Sequence, residues 1–146
     1  MKSALRCLCG ALGLLIPTAA AQAAVCTVST TGVAFGAYDS FHGSGKLSTG
    51  TIGVSCDVIA TYAIGMSAGV AGTFNRAMAF GANRLGYNLF TDATRTVIWG
   101  DSSAGTAKVG SSGTTGSVHN VYGRIPARQV VPAGSYTDSI IVTVDF

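Results

Sequence analysis

Apolar and polar residues alternate with a period of two over much of the chain, the pattern of strands with one buried face. It is clearest near the C-terminus. There Tyr136, Ile140, Val142, Val144 and Phe146 share one face, and Thr137, Ser139, Thr143 and Asp145 the other, with Ile141 as the exception. This predicts a half-buried antiparallel strand running to the last residue. A second strand is predicted over Thr49–Ile59, where Ile52, Val54, Cys56 and Val58 alternate with Thr51, Gly53, Ser55 and Asp57. Cys26 and Val28 alternate in the same way with Thr27 and Ser29. Further strands are predicted at Tyr62–Met66, Arg76–Phe80, Leu85–Phe90, Thr96–Trp99 and Val118–Ile125. Gly81-Ala82-Asn83 and Thr91-Asp92-Ala93 supply turns between them. Asp101–Ser117 is low in complexity and reads as a mobile loop. Pro126 and Pro132 bracket a segment that reads as a strand edge or connection, because proline cannot donate to a ladder. Short strands between glycine-rich turns, with no βαβ alternation, fixed repeat or second domain, predict an all-β sandwich or barrel.

The first residues follow a different logic. Lys2 and Arg6 precede an apolar stretch from Leu8 to Ile16, and Ala21 and Ala23 form an A-x-A pattern. This predicts a cleaved signal peptide over residues 1–23, with a single domain over 24–146. The apolar stretch is shorter than the roughly 20 residues that span a bilayer, so no membrane span is expected after cleavage. Loss of the cations Lys2 and Arg6 lowers the formal net charge from +3 to +1. No basic stripe remains to argue for a nucleic-acid partner. Cys7 and Cys9 leave with the leader, so their spacing is not a metal signal. Cys26 and Cys56 remain, both on apolar faces, and an even pair in an exported chain predicts an inter-strand disulfide.

Catalytic patterns are scarce. His42 and His119 are the only histidines, and no serine sits in a G-x-S-x-G elbow. Both histidines read as solvated surface residues. There is no C-x-x-C, no H-E-x-x-H and no D-x-D-x-D-G run, so no metal, cofactor or small-molecule substrate is expected and the chain reads as a non-enzyme. Tyr38, Phe41, Tyr62, Tyr87, Trp99 and Tyr122 present two alternatives. They fill the core, or some of them, Trp99 foremost, form a ligand platform in a carbohydrate-binding or adhesive surface module.

Several segments, in order along nearly the whole of residues 24–146, resemble the spore coat protein U domain, which is also the pilin domain of archaic chaperone–usher pili. They are Cys26-Thr27-Val28 with Val33-Ala34-Phe35-Gly36, Val54-Ser55-Cys56, and Leu85-Gly86-Tyr87-Asn88-Leu89-Phe90-Thr91-Asp92. Trp99-Gly100-Asp101 and Val121-Tyr122-Gly123-Arg124-Ile125-Pro126 with Gln129 follow, and the run from Pro132 to Asp138 leads into Ile140–Phe146. The resemblance implies an immunoglobulin-like antiparallel β-sandwich that lacks its final strand. It also implies a periplasmic chaperone, an usher and neighbouring pilin subunits as partners, and a cell-surface or extracellular destination in a pilus or coat. A chaperone, and later a neighbouring subunit, would supply the missing strand by sheet-edge completion. The groove receiving it is expected to be lined by Ile140, Val142, Val144 and Phe146 on one side and by Val28, Val33 and Phe35 on the other. Only Ala24-Val25 would precede Cys26 after cleavage, which leads to the expectation of a subunit that accepts a strand without donating one through its N-terminus.

Overall fold

The computed structural model describes residues 24–146, so the expected signal peptide lies outside the described residues. The fold contains seven strands: β1 (Cys26–Thr31), β2 (Lys46–Met66), β3 (Ala77–Phe80), β4 (Asn83–Gly86), β5 (Asn88–Phe90), β6 (Val109–Ile125) and β7 (Val142–Asp145). The only helical turn among the described residues is a 3-10 turn at Gly69–Ala71. All pairings between named strands are antiparallel. The main sheet runs β1-β2-β6-β5, and β7 also pairs with β2. β1 and β7 therefore lie on the same edge of β2 but at opposite ends. β1 pairs with residues 51–56, and β7 with residues 63–66.

Two strands are much longer than the alternation suggests. β2 merges the segments expected at Thr49–Ile59 and Tyr62–Met66, through irregularities in register between Ser55 and Tyr62. β6 begins at Val109, inside the stretch expected to be a mobile loop. The Gly, Ser and Thr residues of that stretch pair with β2, Ser111 opposite Tyr62 and Gly110 opposite Ala63. Composition describes a segment's own preferences, and here the hydrogen bonds offered by a partner strand outweigh them. The strand expected at Thr96–Trp99 is reduced to isolated bridges, Phe90 with Ile98 and Trp99 with Ala107. The C-terminal strand is confined to Val142–Asp145.

A second layer lies over the main sheet. It consists of the β3–β4 hairpin, turning at Gly81-Ala82 as the sequence predicts, and the strand-like segment before β7. That segment is tied to β3 by reciprocal backbone bonds between Ala79 and Thr137 at 2.8 and 3.1 Å. Between the layers are Ile52, Val54, Tyr62, Ile64, Met66, Leu85, Leu89, Val121 and Ile125, all buried. Trp99 is fully buried too, and its Nε1–H donates to the Ile64 carbonyl at 2.9 Å. This is an all-β, two-layer antiparallel sandwich. Cys26 and Cys56 stand directly opposite each other in the β1–β2 register and are joined by a disulfide, half-buried at the sheet edge.

A buried arginine organises one side of the core. Arg76 is 1% exposed, although charged side chains are rarely buried without a partner charge. Its Nε and Nη2 donate to the Ser67 carbonyl at 3.0 and 2.7 Å. Nη2 also donates to the Trp99 carbonyl at 2.7 Å, Nη1 donates to Asn88 Oδ1 at 2.9 Å, and the guanidinium lies over the Phe74 ring. Burial pushes its pKa below the ordinary arginine value, while Tyr87 and Asp138 nearby oppose that shift. The planar fork thus joins the chain just after β2, the start of β5 and the Trp99 segment through the Ser67 and Trp99 carbonyls and the Asn88 side-chain oxygen. Arg76→Ala should cost about 3 kcal/mol or more, because it leaves buried carbonyls unpaired and opens a cavity. Arg76→Lys, which keeps the charge but not the fork, should cost less. Urea unfolding of the oxidised chain measures both.

Candidate functional site: an open seam between the layers

The segment after β1 folds back over the main sheet. Val33 and Phe35 lie close above Gly123, where an added Cβ would stand 2.5 Å from Val33 Cγ1 and 2.7 Å from the Phe35 ring. Glycine at this position of β6 leaves room for the Val33 and Phe35 side chains to pack directly on the strand. The Phe35 ring meets Tyr87 edge to face, with centroids 6.0 Å apart. Across from this segment runs Tyr136–Val142.

The two segments do not close on each other. Between them is a cleft of about 350 Å³, lined by Val33, Phe35, Ile52, Met78, Ile140 and Val142 among others. Tyr87, Leu89 and Val121 form part of its wall, so the cleft reaches the hydrophobic core itself. A second cavity of about 930 Å³ shares Val33, Phe35, Met78 and Tyr136 with it and extends toward Phe41 and Leu85.

The backbone is open along the same line. Among the described residues, the main-chain N–H and C=O groups of Tyr136, Asp138 and Ile140 make no hydrogen bond, although Thr137 between them is paired on its other side with β3. The Val33 and Phe35 backbones likewise lack partners, while the Ala34 carbonyl accepts from Ser48 Oγ at 2.7 Å. Unpaired edges beside exposed core are the features that a further strand would satisfy.

The floor of the cleft is held by a polar lock. The Tyr87 hydroxyl donates to Asp138 Oδ2 at 2.7 Å, and the backbone N–H groups of Val70 and Ser139 donate to Oδ1 at 2.8 Å each. Burial, followed by the bond to Asp138, pushes the Tyr87 hydroxyl far above its ordinary pKa, so it stays a donor. The lock fixes the Tyr136–Ile140 segment with its free edge facing the cleft.

Four of the expected groove residues come together here: Val33, Phe35, Ile140 and Val142. Three do not line the cleft. Val28 faces inward beside Val54 yet is 46% exposed, because nothing covers the inner face of β1. Val144 packs against the core further along β7, and Phe146 is 66% exposed beside the Tyr62 ring. Met66, Met78, Tyr87 and Leu89 were missed as lining. The alternation of Leu85, Tyr87 and Leu89 on one face was the available signal for two of them.

The platform reading of Trp99 is corrected. Its ring is fully buried and its N–H is spent on a core carbonyl, so it has no face to offer a ligand. Tyr62 and Tyr87 are core residues as well, whereas Phe41 is 91% exposed. The solvated reading of His119 is corrected too, because odd-numbered positions in this part of β6 face the interior. His119 lies edge-on to Trp99 and Tyr62, and its Nε2 meets Ser117 Oγ at 2.9 Å and the Tyr62 hydroxyl at 3.2 Å. This Ser–His pair has no carboxylate orienting it. All six aspartates bond elsewhere, to Val25, Phe41, Val70, Thr96, Ser103 and Lys108.

Fold and site together define an antiparallel β-sandwich domain with one inter-strand seam left open. The chain matches the Spore Coat Protein U domain model over residues 14–143, and it belongs to that family. It is 30% identical over 126 residues to Protein U of Myxococcus xanthus, covering 77% of this chain and 70% of that protein. Its fold is similar to that of a chain in the crystal structure of the CsuC–CsuE chaperone–tip adhesion subunit pre-assembly complex from the archaic chaperone–usher Csu pili of Acinetobacter baumannii. The TM-score is 0.64 at 21% identity, over 85% of this chain and 40% of that one. The chain thus spans well under half the length of that structural relative.

Desolvation holds the His119 imidazole below its ordinary pKa of 6.5. The unfolded chain therefore binds a proton more readily than the folded one as pH falls through that value, and stability should fall with it. His119→Gln should flatten this dependence between about pH 7 and pH 5. Thermal melts across that range read the slope; an unchanged slope would remove His119 as its cause.

Proposed function

We propose that this chain is an exported structural subunit that accepts a β-strand from another protein and thereby assembles into a surface fibre or coat. The observation that carries this reading is the seam: a cleft open to the core and bordered by the unpaired edge of Tyr136, Asp138 and Ile140. An inserted strand would make main-chain hydrogen bonds to that edge. Its alternate side chains would enter the cleft, each buried apolar side chain contributing about 1.5–3 kcal/mol. Membership of the Spore Coat Protein U domain family and a fold shared with a chain from a chaperone–tip subunit complex support the choice of partners. These are a periplasmic chaperone that fills the seam during transit, an usher, and a neighbouring subunit that fills it permanently. Exposed core and a free edge are aggregation hazards in a lone chain, which is the physical reason for a chaperone. The disulfide ties the start of β1 to β2, at the end of β1 away from the Thr30–Val33 lining of the seam, and limits fraying of β1.

Size-exclusion chromatography with light scattering tests the reading on the oxidised chain, with and without a co-expressed chaperone. The lone chain should aggregate or share edges in dimers, and the chaperone should convert it to a soluble one-to-one complex. Val142→Asp should weaken that complex at least tenfold by placing a carboxylate in the seam, with circular dichroism verifying that the variant folds. A lone chain that stays monomeric and melts cooperatively at high temperature would overturn the proposal, because its sandwich would then be complete.

Residues 1–23 are proposed to be removed on export. Intact-mass measurement of periplasmic protein should give a chain beginning at Ala24. A start upstream of Leu12 would leave enough extended chain to donate a strand and would revise the acceptor-only expectation.

A further inference from the structure

The seven cations of residues 24–146 are Lys46, Arg76, Arg84, Arg95, Lys108, Arg124 and Arg128. Among the described residues the one ion pair is Lys108 with Asp145, at 2.6 Å. None of the described arginines has a carboxylate partner. Three of them, Arg76, Arg84 and Arg124, line a cleft of about 490 Å³ outside the strand-accepting seam, between the β3–β4 hairpin and the β5–β6 edge, and of these Arg76 is committed to the oxygens of Ser67, Trp99 and Asn88. Arg124 is exposed on β6 opposite Asn88, and its guanidinium makes no hydrogen bond among the described residues. Arg84 spends Nη1 on the carbonyls of Gly81 and Asn83, leaving Nε and Nη2 free. The exposed Asn75 amide is unengaged as well, and Phe90 and Pro126 supply apolar wall. Asn88 lines the cleft but is committed to Arg76, Leu89 and Phe74. The nearby Asp92 is turned into its own loop, where it accepts from Thr96 and Val97. No carboxylate lines the cleft to compete for the two guanidiniums.

We propose that this cleft binds a carboxylate-bearing polysaccharide, its uronate groups held by Arg84 and Arg124 and a sugar face packed on Phe90. Guanidinium forks match carboxylate geometry bidentately. The cleft volume suits a ligand of one or two rings. An aromatic ring and a proline beside the two forks suit the C–H face of a sugar, whereas a phosphate polymer is held mainly by an extended run of cations. With a formal charge of +1 once Lys2 and Arg6 are removed from +3, the domain is a poor general polyanion binder, so affinity must come from this local arrangement. The proposal does not rest on the strand-acceptor reading, since the two clefts share only Tyr87 in their walls.

Fluorescence anisotropy with labelled oligogalacturonate, on the full chain in whichever form is soluble, alone or chaperone-bound, tests it. Binding should be saturable and weakened by salt, and the neutral galacto-oligosaccharide should not bind. Arg124→Gln should weaken binding about tenfold, the loss expected for one charge-assisted pair. Arg124→Lys should fall in between, and Arg128→Gln, which removes an equal charge outside the cleft, should bind as the parent does. Melts confirm that each variant folds. The proposal is overturned by no binding, by equal binding of the neutral oligosaccharide, by preference for polyphosphate, or by an equal loss in Arg128→Gln.

Discussion

The structure depends on the pairing of β2 with β6. The two strands run against each other from Lys46 opposite Ile125 to Ile64 opposite Val109. Every other strand of the main sheet attaches to one of them: β1 and β7 to β2, and β5 to β6. Because β1 and β7 share one edge of β2, the chain between them must cross to the second layer and return. It does so by Val33–Phe35 on one side and Tyr136–Ile140 on the other. The seam lies where these two excursions face each other without meeting. It is therefore a consequence of topology, and local softness is not needed to explain it.

Holding such a seam open requires rigid walls, and the polar interactions supply them. Arg76 ties the end of β2 to β5 and to the Trp99 segment through two backbone carbonyls and the Asn88 side-chain oxygen. Tyr87 and Asp138 pin the segment whose edge is free. Gln129 acts as a short strand substitute, accepting from the Gly86 N–H and donating to the Gly86 carbonyl at 2.8 Å each. These groups satisfy buried or half-buried polar atoms around the cleft while leaving its apolar lining unfilled. Preorganised walls lower the ordering cost of inserting a strand, which favours tight capture of an extended segment.

The two clefts divide the surface by chemistry. The seam is apolar, reaches the core and carries unpaired backbone, features suited to a polypeptide. The Arg84–Arg124 cleft is polar, lies on the outer side of the β5–β6 edge and carries unpaired guanidiniums, features suited to an anion. The proposed strand acceptance and the proposed ligand binding would be compatible on this layout, since a ligand in the second cleft would leave the first free.

The sequence by itself determined the fold class, the two cysteines that pair, and the inward face of β2 as far as Cys56 and of the C-terminal strand. Alternation with a period of two is a local property, and it placed Ile52, Val54 and Val142 on buried or half-buried faces correctly. It also named four of the seam residues, Val33, Phe35, Ile140 and Val142, once the resemblance had supplied the idea of a seam. What only the tertiary structure decided were properties of partnership. Residues 109–117 became strand because β2 offers them hydrogen bonds, against their own composition. Trp99 went to the core and not to a platform, because a carbonyl of β2 receives its N–H. His119 turned inward and Arg76 was buried, because neighbouring strands present the acceptors that make those positions tolerable. Pairings over such distances along the chain leave no periodic mark in either partner, so the alternation could give the faces of some strands but not what they face.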